Sequence, residues 1–85
     1  MITIYGKANC AYCTKAKALA DSRNMKYEYK DVGFHKDTLN ELMDRAPVAV
    51  KSVPQIFIRN EYIGGYTEFS RYLEETGYNG TGETL

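Results

Sequence analysis

This 85-residue chain has no excess of charge of one sign, no long apolar run and no tryptophan, and it contains little cysteine or histidine. Eleven basic and eleven acidic residues give a formal net charge of zero, so no excess of charge draws the protein to nucleic acid or to anionic lipid. No apolar run is long enough to cross a membrane, and the N terminus has neither the charged nor the apolar segment of a signal peptide. We therefore expect a protein of the reducing cytoplasm with no membrane or nucleic-acid partner.

The chain has only two cysteines and one histidine, and this scarcity limits what the cysteines can do. A structural zinc site usually needs four ligands, and beyond Cys10 and Cys13 only His35, expected in a loop, remains. A disulfide between such close residues closes a loop too short to constrain the unfolded chain much. In a reducing compartment, a Cys-x-x-Cys pair is more often catalytic. The pattern thus favours a redox pair and no metal site, with two inert buried cysteines as the alternative.

Strand and helix signals alternate along the chain. The predicted elements are a strand over 2–5, a helix over 10–23 with Ala16, Leu19 and Ala20 on one face, a strand over 26–30, a helix whose buried face is Leu39, Leu42, Met43 and Ala46, strands over 55–58 and 62–63, and a helix from about Thr67. Thr38 and Glu41 predict a capping box at the start of the second helix. Asn60 and Glu61 predict the tip of a hairpin between the last two strands.

The element order β-α-β-α-β-β-α predicts an α/β fold with a four-stranded mixed sheet flanked by three helices. The first βαβ unit requires two parallel strands, and the hairpin adds two antiparallel ones. Residues 77–85 are rich in glycine and polar side chains, which predicts a flexible C-terminal tail. We therefore expect one domain over residues 1–76.

The cysteines lie where the first strand passes into the first helix. Residues three apart on a helix are neighbours, so the sulfurs of Cys10 and Cys13 can reach disulfide distance. Cys10 lies at the helix N terminus, where backbone N–H groups and the helix dipole favour a thiolate. Lysines add positive charge nearby, at Lys7, Lys15 and Lys17. Because a thiolate attacks disulfides, we predict Cys10 as the nucleophile and Cys13 as the resolving thiol.

Three segments together resemble the glutaredoxin family. They are Cys10-Ala11-Tyr12-Cys13, Ser52-Val53-Pro54-Gln55-Ile56-Phe57-Ile58 and Tyr62-Ile63-Gly64-Gly65-Tyr66-Thr67-Glu68-Phe69, in this order along the chain. The resemblance covers about residues 2–75 and implies the thioredoxin fold, in which a cis-proline faces the active-site cysteines. It therefore implies a cis bond between Val53 and Pro54.

The resemblance also implies a glutathione-binding site around the cysteine pair. The backbone N–H and C=O of Val53 would pair with the extended peptide of glutathione. Thr67 and Glu68 would hold its γ-glutamyl end, with Glu68 in place of the usual aspartate. Gly64 and Gly65 would have a structural role, because they permit a tight turn. The other implied contacts are Lys7 near the glycyl carboxylate and Tyr12, Ser52, Pro54 and Tyr66 along the groove.

The function that the resemblance implies is glutathione-dependent thiol–disulfide oxidoreduction without a bound cofactor. Glutathione would be the reducing co-substrate, and the partners would be disulfide-containing or glutathionylated proteins, with ribonucleotide reductase as one that needs such electrons. We expect a monomer. Two alternatives stay open: a thioredoxin-like reductase fed by a flavoprotein reductase, and a carrier that holds an iron–sulfur cluster with the help of glutathione. Ala11 is relevant to the iron–sulfur alternative, because glutaredoxins that act only in redox reactions tend to carry proline at this position.

Overall fold

The computed structural model describes residues 2–47 and 49–77. Its elements are β1 (Ile2–Gly6), α1 (Ala11–Ser22), β2 (Tyr27–Asp31), α2 (Lys36–Arg45), β3 (Gln55–Ile58), β4 (Glu61–Gly64) and α3 (Tyr66–Thr76). The strands of these residues form a mixed sheet in the order β2-β1-β3-β4. β1 is parallel to β2 and antiparallel to β3, and β3 is antiparallel to β4. The predicted fold class and element order are confirmed.

One face of the sheet packs against α1 and α3. The strand side chains on this face come from alternate positions, because successive residues of a strand point to opposite faces of the sheet. The buried cluster consists of Ile2, Ile4, Ala16, Ala20, Met25, Ile56, Ile58, Phe69 and Leu73. Ala16 and Ala20 lie one turn apart on α1, and their small side chains let this helix lie close to the sheet. Leu19, predicted on the same face, packs at the edge of the cluster.

The opposite face of the sheet carries α2 over a smaller core. Tyr5, Leu42 and Phe57 are buried here. The rings of Tyr5 and Phe57 meet edge to face, with 5.7 Å between their centroids. This arrangement is one that aromatic quadrupoles favour.

The start and the buried face of α2 differ from the prediction. α2 begins earlier than expected, with His35 as its N-cap residue, so the predicted capping box of Thr38 and Glu41 is wrong. Met43, predicted in the core, is 57% exposed. The buried face was predicted wrongly because the side of α2 that faces the sheet carries polar groups with partners there. Hydrophobic periodicity does not detect such groups.

A polar network joins α2 to the sheet. The Tyr5 hydroxyl donates a hydrogen bond to Glu41 and accepts one from Arg45 at 2.8 Å. Lys30 Nζ lies 2.7 Å from Glu41 Oε2. The guanidinium of Arg45 lies over Phe57, 4.2 Å from the ring centroid. The hydrogen bonds from Lys30 and then Tyr5 lower the pKa of Glu41 below its ordinary value of 4.5.

We expect Glu41 to make the stability of the domain depend on pH in the acid range. Because the folded pKa of Glu41 lies below the unfolded one, its stabilisation is complete above the unfolded pKa and is lost as the pH falls through the folded pKa. Denaturant unfolding at a series of acid pH values measures this loss. Glu41→Gln should flatten the acid limb, and Asp44→Asn, at an exposed site on α2, should not. An acid limb of unchanged slope in Glu41→Gln would contradict the prediction.

The ends of the hairpin and of α3 also shift slightly from the predicted positions. Glu61 already pairs with Ile58, so the hairpin turn lies one residue earlier than predicted. α3 begins at Tyr66. Gly77, predicted in the tail, caps α3 in the left-handed conformation with φ 67°. The rest of the predicted flexible tail, residues 78–85, lies outside the described residues.

Candidate active site

The two cysteines lie at the junction of β1 and α1 and form a disulfide in this structure. Cys10 is the N-cap residue of α1, with extended backbone at φ −115° and ψ 108°. Its Sγ accepts a hydrogen bond from the backbone N–H of Cys13 at 3.1 Å. Cys13 is only 1% exposed, whereas Cys10 is partly exposed. Cys10 is therefore the sulfur that a substrate can reach.

The surroundings of Cys10 Sγ favour negative charge. Its position at the N terminus of α1 exposes it to the positive end of the helix dipole, and the first turn of α1 has no acidic residue. The lysines of α1 lie on aromatic rings: Lys15 Nζ is 5.0 Å from the Tyr12 centroid, and Lys17 Nζ is 4.2 Å from the Tyr29 centroid. The helix N terminus donates directly to the sulfur and favours a negative charge there.

A cavity of about 250 Å³ opens next to the cysteine pair. Three separate segments of the chain line it, and its residues are Tyr12, Ser52, Val53, Pro54, Gly65, Tyr66, Thr67 and Glu68. The carbonyl oxygen of Val53 lies 3.7 Å from Cys10 Sγ and so connects the cavity to the sulfur. The fold thus brings together the predicted groove residues except Lys7, which is exposed and does not line the cavity.

The segment before β3 is shaped by its proline and by a buried glutamine. The Val53-Pro54 bond is cis, which confirms the expectation from the resemblance. Gln55 is 7% exposed; its amide donates to the Ser52 carbonyl at 2.9 Å and accepts from the Tyr62 hydroxyl at 2.5 Å. The sequence pattern placed Gln55 in an apolar strand and assigned it no role. The sequence signal that could have indicated a role for Gln55 is a polar residue at the start of an apolar run, directly after the proline.

The N terminus of α3 forms another wall of the cavity. Glu68 Oε1 accepts a hydrogen bond at 2.8 Å from the backbone N–H of Gly65, the N-cap residue of α3. Gly64 has φ 122°, a conformation that favours glycine, and a Cβ there would lie 3.0 Å from the Glu68 side chain. The glycines therefore leave room for Glu68 to fold back over the helix start. This capping role of Glu68 was not predicted.

Two tyrosines flank the cavity from different helices. The rings of Tyr12, on α1, and Tyr66, on α3, have centroids 5.9 Å apart and planes at 40°. Tyr12 is 55% exposed. A ligand bound in the cavity would therefore have an aromatic surface to contact.

The described residues contain neither a membrane-spanning helix nor a cluster of metal ligands. Among residues 2–47 and 49–77, no helix combines the length and the apolar character needed to cross a membrane. In the same part of the chain, no three His, Cys, Asp or Glu side chains are grouped so that they could hold a metal ion. The groups present at the site are a disulfide, aromatic rings, backbone amides and a carboxylate, and these suit thiol–disulfide exchange.

Comparison with known proteins identifies the family. The glutaredoxin family model matches residues 2–63. Glutaredoxin 1 of Escherichia coli (strain K12) is 36% identical over 77 residues, which cover 85% of this chain and 91% of that protein. Glutaredoxin 1 from Francisella tularensis, in complex with cacodylate, has a TM-score of 0.73 at 26% identity and covers 87% of this chain and 92% of its own.

The NMR structure of reduced Escherichia coli glutaredoxin has a TM-score of 0.70 at 35% identity, covering 87% of this chain and 93% of its own. These neighbours share the thioredoxin fold, so that part of the prediction is confirmed as well. The family match extends over the cysteine pair and the cis-proline segment and into β4. This chain belongs to the glutaredoxin family.

Proposed function

We propose that this thiol–disulfide oxidoreductase takes its electrons from glutathione, which binds in the cavity beside Cys10. Membership of the family and the Cys10–Cys13 pair support the disulfide chemistry. The observation that carries the choice of reductant is the cavity itself. It places peptide backbone, two aromatic rings and a helix N terminus within reach of the accessible sulfur.

The groups in the cavity match the chemistry of a thiol-bearing tripeptide. Val53 lies outside the strands, and within the described chain its backbone pairs with no other backbone group, so it is available for strand-like pairing with an extended peptide. The first amides of α3, at Tyr66 and Thr67, suit the α-carboxylate of a γ-glutamyl group. Pro54 and Ser52 complete the wall along which the peptide would lie.

Glu68 would serve both the helix and the ligand. Its Oε1 accepts the Gly65 N–H, and a carboxylate has lone pairs for further donors. The glutamyl ammonium of glutathione is such a donor, and it would be charge-paired with Glu68. Lys7, which lies outside the cavity, is proposed to meet the glycyl carboxylate at the exposed end of the ligand.

A glutathionylated protein would be reduced through Cys10 alone. The Cys10 thiolate attacks the sulfur of the bound glutathione, the Cys10–glutathione disulfide forms, and the protein thiolate leaves and takes up a proton. The thiolate of a second glutathione then attacks the glutathione sulfur of this mixed disulfide. Oxidised glutathione forms, and Cys10 leaves as a thiolate.

A protein disulfide would be reduced through both cysteines. Cys10 attacks it to form a mixed disulfide and release one substrate thiolate, and Cys13 then attacks Cys10 Sγ to release the other. Two glutathione molecules reduce the resulting Cys10–Cys13 bond. The first attacks Cys10, because Cys13 is 1% exposed and out of reach of a substrate. Each cycle moves two electrons from two glutathione molecules to one substrate disulfide.

The partners we propose are proteins with exposed disulfides or glutathionylated cysteines. Ribonucleotide reductase belongs to this class, because it needs a dithiol donor in every turnover. Its reduction would require Cys13 as well as Cys10. An assay with purified ribonucleotide reductase checks this requirement. A cytoplasmic location and a monomeric state remain predictions.

The reductant is tested by steady-state reduction of a small disulfide with either of two supplies of electrons. We expect saturable turnover with glutathione, glutathione reductase and NADPH. Turnover with thioredoxin reductase and none with glutathione would overturn the proposal in favour of a thioredoxin-like protein.

A comparison of two α3 variants in the same glutathione assay tests where glutathione binds. Glu68→Gln keeps a side-chain oxygen for the Gly65 N–H but removes the charge, so KM for glutathione should rise about tenfold with little change in kcat. Glu75→Gln is the matched control, because Glu75 is exposed on α3 and does not line this cavity. Equal KM values in the two variants would contradict the assignment of Glu68.

A further inference from the structure

Cys13 lies in less favourable surroundings for a negative charge than Cys10. Cys13 is 1% exposed, and among the described residues none donates a hydrogen bond to its Sγ in this oxidised state. The second exchange step nevertheless needs the Cys13 sulfur as a thiolate. Burying an anion without a hydrogen-bond donor is costly. A donor close to Cys13 Sγ would therefore accelerate this step.

The hydroxyl of Tyr29 lies close to that sulfur. A Cβ added to Gly6 would lie 2.9 Å from Cys13 Sγ and even closer to the Tyr29 hydroxyl, so both groups border the space that glycine leaves open. Lys17 is one turn beyond Cys13 on α1, and its Nζ lies 4.2 Å from the Tyr29 ring centroid. The ring is therefore held between β2 and α1, beside the resolving cysteine.

The Tyr29 hydroxyl is available for a new acceptor. It donates to the Lys7 carbonyl at 3.4 Å, which is long for an O–H···O hydrogen bond. A thiolate is a charged acceptor and would compete well for the proton. Burial, and then the charge of Asp31, raise the pKa of Tyr29 above 10.0, so the hydroxyl keeps its proton while thiols react.

We propose that the Tyr29 hydroxyl donates a hydrogen bond to Cys13 Sγ when Cys13 becomes a thiolate, and that it thereby accelerates the second exchange step. Cys13 gives its proton to solvent, and its sulfur attacks Cys10 Sγ of the mixed disulfide. The Cys10–Cys13 bond forms, the bond from Cys10 to the substrate sulfur breaks, and the substrate leaves as a thiolate that takes up a proton. Tyr29 keeps its own proton throughout. This role depends on dithiol exchange and not on glutathione as the reductant.

The test uses an aromatic disulfide, dithiobis-nitrobenzoate, that needs no glutathione-binding site. Mixed with one equivalent of reduced protein, it releases one coloured thiolate when Cys10 attacks and a second when Cys13 resolves the mixed disulfide. Tyr29→Phe should slow the second release about tenfold, as expected for a lost hydrogen bond to a charged group, and leave the first unchanged. Tyr27→Phe, on the same strand, is the matched control, because that hydroxyl points to Asp21 at 3.4 Å. We expect wild-type rates for it.

The pH dependence of the second release separates hydrogen bonding from packing. Among the described residues, the charged and titratable groups in contact with Tyr29 or shifting its pKa are Lys17 from α1, Asp31 on β2, Cys13, and Lys7 through its backbone carbonyl, and all of them remain in Tyr29→Phe. The difference between variant and wild type should shrink at high pH, where the Cys13 thiolate forms without a donor. An unchanged second release, the same slowing at every pH, or equal slowing in Tyr27→Phe would overturn the proposal.

Discussion

Cys10→Ser is expected to reduce both deglutathionylation and protein-disulfide reduction to the uncatalysed background. Cys10 is the partly exposed sulfur at the helix N terminus, and its thiolate forms the first covalent bond in either reaction. A serine hydroxyl at the same position is not ionised near neutral pH and cannot exchange with a disulfide. Coupled consumption of NADPH measures both reactions with a glutathionylated peptide and a protein disulfide.

Cys13→Ser is the matched control for this prediction, because it changes the same atom one turn further along α1. It should retain most of the deglutathionylation, which needs only Cys10 and glutathione, and lose reduction of those protein disulfides that require both thiols. Residual activity above background in Cys10→Ser, or loss of both reactions in Cys13→Ser, would mean that the roles of the two cysteines are assigned wrongly. Circular dichroism of each variant establishes that the fold is intact.

Phe69→Ala is expected to cost about 3–5 kcal/mol of the free energy of unfolding, the usual loss for truncating a buried phenylalanine. Phe69 is fully buried in the core that joins α3 to the sheet. Small domains have about 5–15 kcal/mol of stability in total, so this variant should be marginally stable. Since Phe69 follows the cavity residues Thr67 and Glu68, its packing also holds the N terminus of α3 in place.

The same substitution at an exposed position is the control. Phe34 is 79% exposed, and Phe34→Ala should change the free energy of unfolding by no more than about 0.5 kcal/mol. Denaturant unfolding of the reduced proteins measures both values under one condition. If Phe69→Ala lost no more free energy of unfolding than Phe34→Ala, the packing of α3 would not depend on the Phe69 side chain.

The elements of the fold could be predicted because their signals are local. Ile2 and Ile4 alternate with polar or amphipathic neighbours, which is the period of a β-strand. Ala16 and Ala20 are four residues apart, which is the spacing of one helix face. The order of strands and helices then leaves few possible topologies. The boundaries shifted by one to three residues, most at the start of α2, where the N-cap is His35 and not Thr38.

The polar contacts of Glu41 and Gln55 could not be predicted, because each side chain meets a partner only through helix packing or sheet pairing. Glu41 faces inward because it meets Tyr5 and Lys30, and nothing in the sequence near Glu41 indicates those partners. Gln55 is buried because the Tyr62 hydroxyl and the Ser52 carbonyl satisfy its amide. A polar side chain on an apolar face is stable only where the fold supplies such a partner.

By itself, the sequence determined the element order, the position of the cysteine pair at a helix start and the family, because these rest on spacing and on motifs read along the chain. Only the tertiary structure decided which distant groups lie around that pair. It brought Val53 and the N terminus of α3 to Cys10, gave Glu68 a capping role, and placed Tyr29 beside Cys13. The physical reason is that sheet pairing and helix packing set the distances between segments, and those distances decide which side chains meet a sulfur.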